Sequence, residues 1–215
     1  MTLIDFTVIS SGSKGNAVVI ENTILIDCGV PFLAIREYHK SLQLILLTHI
    51  HSDHFNRPTI RKLARERPTL RFGSPPWLAE PLIKCGACKS KIDIWEFDGL
   101  KCGYRFGYVE PFKLIHNVPN CGYKIHLAGG GKLLYATDTA SMDGIKAKNY
   151  DLYLLESNHG QTEIVDRIRQ KQATGEYAYE RRAMHNHLSH EKAANWLYQN
   201  MGPRSRYVYL HKHEG

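Results

Sequence analysis

Apolar residues along this chain come mostly in short runs cut by polar turns, the pattern of strands rather than of long amphipathic helices. Residues 3–10 alternate loosely, and 17–20 and 24–27 follow as short strands, the last ending at Asp27-Cys28-Gly29. Between the first two lies Ser10-Ser11-Gly12-Ser13-Lys14-Gly15-Asn16, a small-residue turn that predicts a hairpin. It lacks the full pattern of a phosphate-cradling loop. The run 42–47 is the next strand. Further strands are predicted at 71–73, 92–97, 104–109, 113–116, 122–127, 132–135, 150–156 and 207–210.

Helices are predicted between these runs at 31–40, 58–67 and 77–84, the first with a proline near its opening turn. Residues 161–182 are polar and basic, with a helical look and no strong apolar face. Ser189 is placed to cap a helix through Asn200 whose apolar positions Ala193, Ala194, Trp196 and Leu197 share one side. There is no internal repeat and no second core, so residues 1–215 read as one domain.

The chemistry gathers where strands stop. The strand at 42–47 runs into Thr48-His49-Ile50-His51-Ser52-Asp53-His54. His49, His51 and Asp53 stand at i, i+2 and i+4, so a turning backbone can converge them. Neutral imidazoles with a carboxylate suit zinc, and also manganese or iron. Three more metal-capable residues also follow apolar strands: His116, Asp138 and His211. Any one of them, taken singly, reads as an ordinary turn residue.

The pattern His-x-His-x-Asp-His, followed in order by those three, resembles the metallo-β-lactamase superfamily. That resemblance implies an α/β fold, the αβ/βα four-layer sandwich of two mixed β-sheets flanked by helices. It implies two divalent transition-metal ions, zinc first and manganese as the alternative. One would be held by His49, His51 and His116, the other by Asp53, His54 and His211, with Asp138 shared. Asp138 stands where the β-lactam-hydrolysing members carry a cysteine, which favours the phosphodiesterase and nuclease members.

Two further stretches narrow the branch. Ser10-Ser11-Gly12-Ser13-Lys14-Gly15-Asn16 and Glu156-Ser157-Asn158-His159 resemble WalJ/YycJ-like proteins. Asn186-His187-Leu188-Ser189-His190, with His211 later, resembles the closing segment of WalJ/YycJ-like and tRNase Z-like proteins. By that resemblance His187 contacts the scissile phosphate or protonates the leaving oxygen, and Asp53 orients a metal-bridging hydroxide. The implied activity is phosphodiester hydrolysis, with a DNA or RNA nuclease of exonuclease type as the leading reading. A cyclic-nucleotide phosphodiesterase and a nucleic-acid-binding protein with a structural metal are the alternatives. His190 departs from the asparagine expected there, which bears on the substrate edge, and the resemblance leads one to expect a further tail after Glu214-Gly215.

Composition adds boundaries. A net charge of +7 is compatible with a nucleic acid or nucleotide partner. The basic residues Arg57, Arg61, Lys62, Arg65 and Arg67 read first as a solvated face and second as a phosphate-backbone track. No apolar run approaches the roughly 20 residues of a membrane span. The N-terminus lacks a basic region with an apolar core. Five cysteines without framework spacing favour a reducing compartment, and the expectation is a cytoplasmic protein. Cys85-Gly86-Ala87-Cys88, with Cys102 and Cys121, is a weak zinc-ribbon candidate. Oligomeric state stays open, a homodimer included. His39, His126, His185, His190 and His213 have no assigned role, and His159 stands near the site by resemblance alone.

Overall fold

Ala17–Ile20 (β2), Ile24–Ile26 (β3) and Leu44–Leu46 (β4) are buried at every position, the signature of strands covered on both faces. The computed structural model describes residues 3–97, 99, 101–178 and 180–212. The readings at Met1, Thr2, His213, Glu214 and Gly215 lie outside the described residues. Cα packing divides the chain into two compact units, Met1–Cys102 and Gly103–Gly215.

In the first unit Phe6–Ser10 (β1), β2, β3, β4, Arg71–Ser74 (β5) and Ile92–Ile94 (β6) form a six-stranded sheet in chain order. The first two pairings are antiparallel hairpins and the remaining three are parallel, so the sheet is mixed. The crossovers carry Phe32–Ile35 (α1), Arg57–Glu66 (α2) and Pro76–Lys84 (α3). Ile60 and Leu63 of α2 and Leu78 and Leu82 of α3 pack with Val19, Leu25 and Ile45 in the core. Helix α2 begins where Asn56 accepts the Thr59 N–H at 3.0 Å, satisfying a backbone donor that no earlier carbonyl can reach.

The second unit holds a sheet in the order Arg206–Leu210 (β12), Leu152–Glu156 (β11), Lys132–Ala136 (β10), Asn120–Leu127 (β9), Gly107–Leu114 (β8), Cys102–Tyr104 (β7). Strands β8, β9 and β10 pair antiparallel, while β10, β11 and β12 pair parallel. Gln161–Thr174 (α4), Glu180–Asn186 (α5) and His190–Asn200 (α6) complete it. Leu188, Ala193, Trp196 and Leu197 close a core over Leu134, Ala136, Tyr153 and Leu155. The expected architecture is present: two mixed six-stranded sheets with helices.

Several local expectations need correction. The helix expected over 31–40 is only the four residues of α1, followed by turns. Beyond these turns the Arg67 guanidinium donates to the carbonyls of His39 and Leu42. The separate strands at 104–109 and 113–116 are instead β7, a tight turn, and one continuous β8. Residues 161–182 break at Gly175, whose φ of 72° is left-handed and ends α4. Ala194 is exposed, and the buried face of α6 is Ala193, Trp196, Leu197 and Asn200. Among the described residues no helix is long and apolar enough to cross a membrane.

Candidate metal centre

The ligand stretch of the first unit is built on Asp27. This residue follows β3 in the left-handed region, at φ 57°. Its carboxylate accepts the Thr48 backbone N–H at 3.0 Å and the Thr48 hydroxyl at 2.9 Å. It also accepts the His54 Nδ1–H at 2.7 Å, with both side chains fully buried. With the Thr48 proton committed to Asp27, the hydroxyl oxygen accepts His49 Nδ1–H at 3.0 Å. Each contact places the imidazole proton on Nδ1 and leaves Nε2 as a lone pair.

Those lone pairs converge. His49 Nε2 lies 3.1 Å from His51 Nδ1, and the rings of His49 and His54 stand 4.1 Å apart. Two nitrogens on one tetrahedral zinc, each at about 2.0–2.1 Å, would be roughly 3.3 Å apart. The donor set therefore fits a metal ion. Asp53 Oδ2 lies 3.6 Å from His54 Nε2, which also accepts Asn16 Nδ2–H at 2.8 Å. The small-residue turn thus reaches the site through Asn16, whose amide also exchanges hydrogen bonds with Gly12.

Gly29 makes this approach sterically feasible. A Cβ there would sit 1.7 Å from the Asp53 carbonyl oxygen and 2.8 Å from Asn16 N. The chain after β3 consequently runs directly against the ligand turn, where Cys28 N donates to the His54 carbonyl at 2.9 Å.

A second cluster stands in the other unit, at the ends of three parallel strands. The register pairs Ala136 with Leu155 and Glu156 with Leu210, so Asp138, Glu156 and His211 leave the sheet at one edge. Asp138 and His211 both turn away in the left-handed region, at φ 58° and 52°. Asn120 braces the first of these turns by donating to the carbonyls of Thr137 and Asp138. Backbone in this region costs free energy for a side-chain-bearing residue and persists where surroundings enforce it.

Glu156 organises the cluster. It is fully buried, and its Oε2 accepts backbone N–H groups from Thr139 at 2.8 Å and Leu188 at 3.2 Å. Its Oε1 takes His187 Nδ1–H at 2.6 Å and faces His211 Nδ1 at 3.3 Å. Burial pushes this carboxyl's pKa up, but the hydrogen bonds from the two histidines outweigh it and hold the group below its ordinary range. His211 Nε2 is left facing Asp138 Oδ1 at 3.4 Å. His116 Nδ1–H donates to the Asn186 carbonyl at 3.2 Å, and its Nε2 faces the same Asp138 oxygen at 3.8 Å. Ligand atoms of Asp138, Glu156, His187 and His211 all lie within 4.8 Å of one another.

The predicted residues thus fall into two sets. His49, His51, Asp53 and His54 are gathered in the first unit, and His116, Asp138, His187 and His211 in the second. Four contributors had no role assigned from sequence: Asp27, Asn16, Asn120 and Glu156. Asp27 and Glu156 carried the signal that singled out Asp138, an acid closing an apolar strand. The basic face of α2 is partly structural: Lys62 lies over the Phe32 ring at 4.0 Å and Arg67 binds loop carbonyls. Among the described residues, no group with metal-binding spacing includes a cysteine, and Cys85 is buried while Cys88 is exposed.

A family model described as the beta-lactamase superfamily domain matches residues 22–211. Exodeoxyribonuclease WalJ of Streptococcus pneumoniae serotype 2 (strain D39 / NCTC 7466) is 27% identical over 231 aligned positions, covering 95% of this chain and 80% of that protein. Among solved structures, human tRNase Z, short form, superposes with a TM-score of 0.73 at 16% identity, covering 97% of this chain and 92% of that one. The metallo-beta-lactamase fold protein YhfI from Bacillus subtilis also superposes at 0.73, with 15% identity and coverage of 99% and 87%.

Proposed function

The chain belongs to the metallo-β-lactamase superfamily, and from that premise we propose that it is a metal-dependent phosphodiesterase acting on nucleic acid, a nuclease of exonuclease type. His49, His51 and His116 would hold one divalent ion, and Asp53, His54 and His211 a second, with Asp138 shared between them. Residues 1–215 would then serve as one functional domain. The ions, when bound, lower the pKa of water to about 7 and neutralise charge on phosphoryl oxygens.

The residues of the chain supply the rest. Asp53 orients the attacking water and takes its proton. His187 stands beside Asp138 and His211 and is more accessible than either, at 18% side-chain exposure against 8% for His211 and 4% for Asp138. Its Nδ1 is committed to Glu156, so its Nε2 is the atom that meets a phosphoryl or leaving oxygen. This pairing carries the reading. One buried carboxylate oxygen fastens both a metal-site histidine and a histidine outside the ligand set, and a purely structural metal site needs no such second imidazole. The WalJ relative and the acid at position 138 support nucleic acid over a β-lactam as substrate.

The test is a substrate panel with zinc and, separately, with manganese. It comprises bis(p-nitrophenyl) phosphate, single- and double-stranded DNA, RNA, cyclic nucleotides and a chromogenic cephalosporin. Hydrolysis of the diester and of a nucleic acid, with the cephalosporin intact, is the expected result. Cephalosporin turnover without diester cleavage would overturn the assignment.

A further inference from the structure

Beside Glu156 the second unit contains a cavity that the metal chemistry does not use. It is lined by Asn158, His159, Glu163, Ile164, Arg167, Glu180, Ala183 and His190. Its volume is about 60 Å³ for the centres of water-sized groups, whereas one water needs roughly 10–15 Å³. It can therefore take several ring atoms of a ligand. Two of its walls lead straight to the site. Asn158 lines it and donates to the His211 carbonyl at 2.8 Å. His190 lines it and bonds Ser157, the residue after Glu156, at 2.6 Å.

The charges around the cavity cancel in pairs. Arg167 meets Glu163 at 2.7 Å, and Glu180 meets Lys171 at 2.6 Å. No net charge remains to draw in a phosphate. What remains is apolar surface from Ile164 and Ala183, the imidazoles of His159 and His190, and the buried second oxygen of Glu180, which has no hydrogen-bond partner among the described residues. His159 is only 8% exposed, and its Nδ1–H points to Asn158 Oδ1 at 3.4 Å. Its Nε2 is then an acceptor without a partner among the described residues. Burial also lowers the His159 pKa, keeping the ring neutral.

A partly apolar cavity with paired charges and open hydrogen-bond acceptors on its lining residues, next to a site read as handling phosphodiesters, matches the uncharged, N–H-bearing part of a nucleotide. We propose that it is a subsite for the nucleobase of the substrate, packed against Ile164 and Ala183 and hydrogen-bonded through an amino or imino N–H to His159 Nε2. This rests on the phosphodiesterase reading and extends it. His159 and His190 gain a common role as walls of a recognition pocket, and the histidine at 190 in place of asparagine becomes part of the substrate edge.

The probes are adenosine, which has a base but no phosphate, and two esters sharing one leaving group. These are the p-nitrophenyl ester of thymidine 5′-phosphate and bis(p-nitrophenyl) phosphate. Ala183→Leu fills the cavity from α5, and His159→Phe keeps a ring but removes Nε2. The wild type should bind adenosine saturably in an NMR titration, and each variant should weaken that binding about tenfold or more. KM for the thymidine ester should rise about tenfold while bis(p-nitrophenyl) phosphate kinetics stay within about twofold. Should His159→Phe fail to fold, Ala183→Leu carries the test from the opposite wall. Absence of saturable adenosine binding, adenosine affinity unchanged in both variants, or an equal loss on both esters would each overturn the subsite. If the wild type cleaves neither ester, the phosphodiesterase reading fails, and the adenosine titration still decides the cavity.

Discussion

Glu156 Oε1 lies 2.6 Å from His187 Nδ1 and 3.3 Å from His211 Nδ1, so one buried oxygen fixes two imidazoles of proposed different duty. Removing either ring should separate those duties. His211→Ala is expected to weaken binding of one metal ion. His187→Ala should retain full metal content and lose turnover by roughly 10²–10⁴, the range for a positioned acid or base. Metal content and kcat measured on both variants decide it. Metal loss in His187→Ala beside normal content in His211→Ala would mean the roles are exchanged.

The proposed ligand set calls for two ions per chain. Elemental analysis after reconstitution with zinc should approach that stoichiometry in the wild type. Asp138→Ala should lose metal and activity together, because its carboxylate is the one assigned to both ions. A wild-type content that never exceeds one ion would rule out the binuclear arrangement.

Asp27 touches no substrate in this reading and still should matter. It accepts His54 Nδ1–H directly and fixes His49 through the Thr48 hydroxyl. Asp27→Asn replaces one accepting oxygen with a donor, which releases at least one ring. Metal affinity should fall about 10–100-fold, the usual effect of losing an outer partner of a ligand histidine. Thr48→Val should disturb His49 alone and give the smaller change. A competitive chelator titration reads both, and equal affinities in all three proteins would refute the relay.

Acid should expose the buried His159. Burial lowers its pKa from an ordinary value of 6.5, so below that pH the unfolded chain binds a proton that the folded chain refuses. Proton uptake by the unfolded state means that this residue's contribution to stability falls as pH drops below about 6.5. His159→Phe removes the titration and should flatten the decline of unfolding free energy between neutral and mildly acidic pH. Denaturant melts across that window check it, and identical slopes for variant and wild type would contradict it.

If nucleic acid is bound through its phosphates, affinity must respond to counterions. Raising salt from about 50 to 200 mM should weaken binding steeply, with the slope of log K on log salt counting the phosphates engaged. Binding that ignores salt would point to a small substrate held by the metals alone.

The sequence by itself determined which residues could carry the chemistry. His49, His51, Asp53 and His54 follow β4, and His116, Asp138 and His211 each follow an apolar strand. A buried run that stops at a polar side chain is a local pattern, readable within ten residues. The hairpin at residues 10–16 and the Ser189 cap were legible for the same reason, since turn chemistry and capping act over three or four residues. Tertiary structure decided how those side chains are held. The partner that fixes His54 lies 27 positions away, that of His187 31 away and that of His116 70 away. Which ring nitrogen is left open therefore depends on contacts that no local pattern encodes. Asp27 and Glu156 were visible as acids ending strands, but only the parallel registers turned them into shared acceptors. His190 had no assigned role and His159 stood near the site by resemblance alone, until the packing of the second unit placed both on the wall of one cavity.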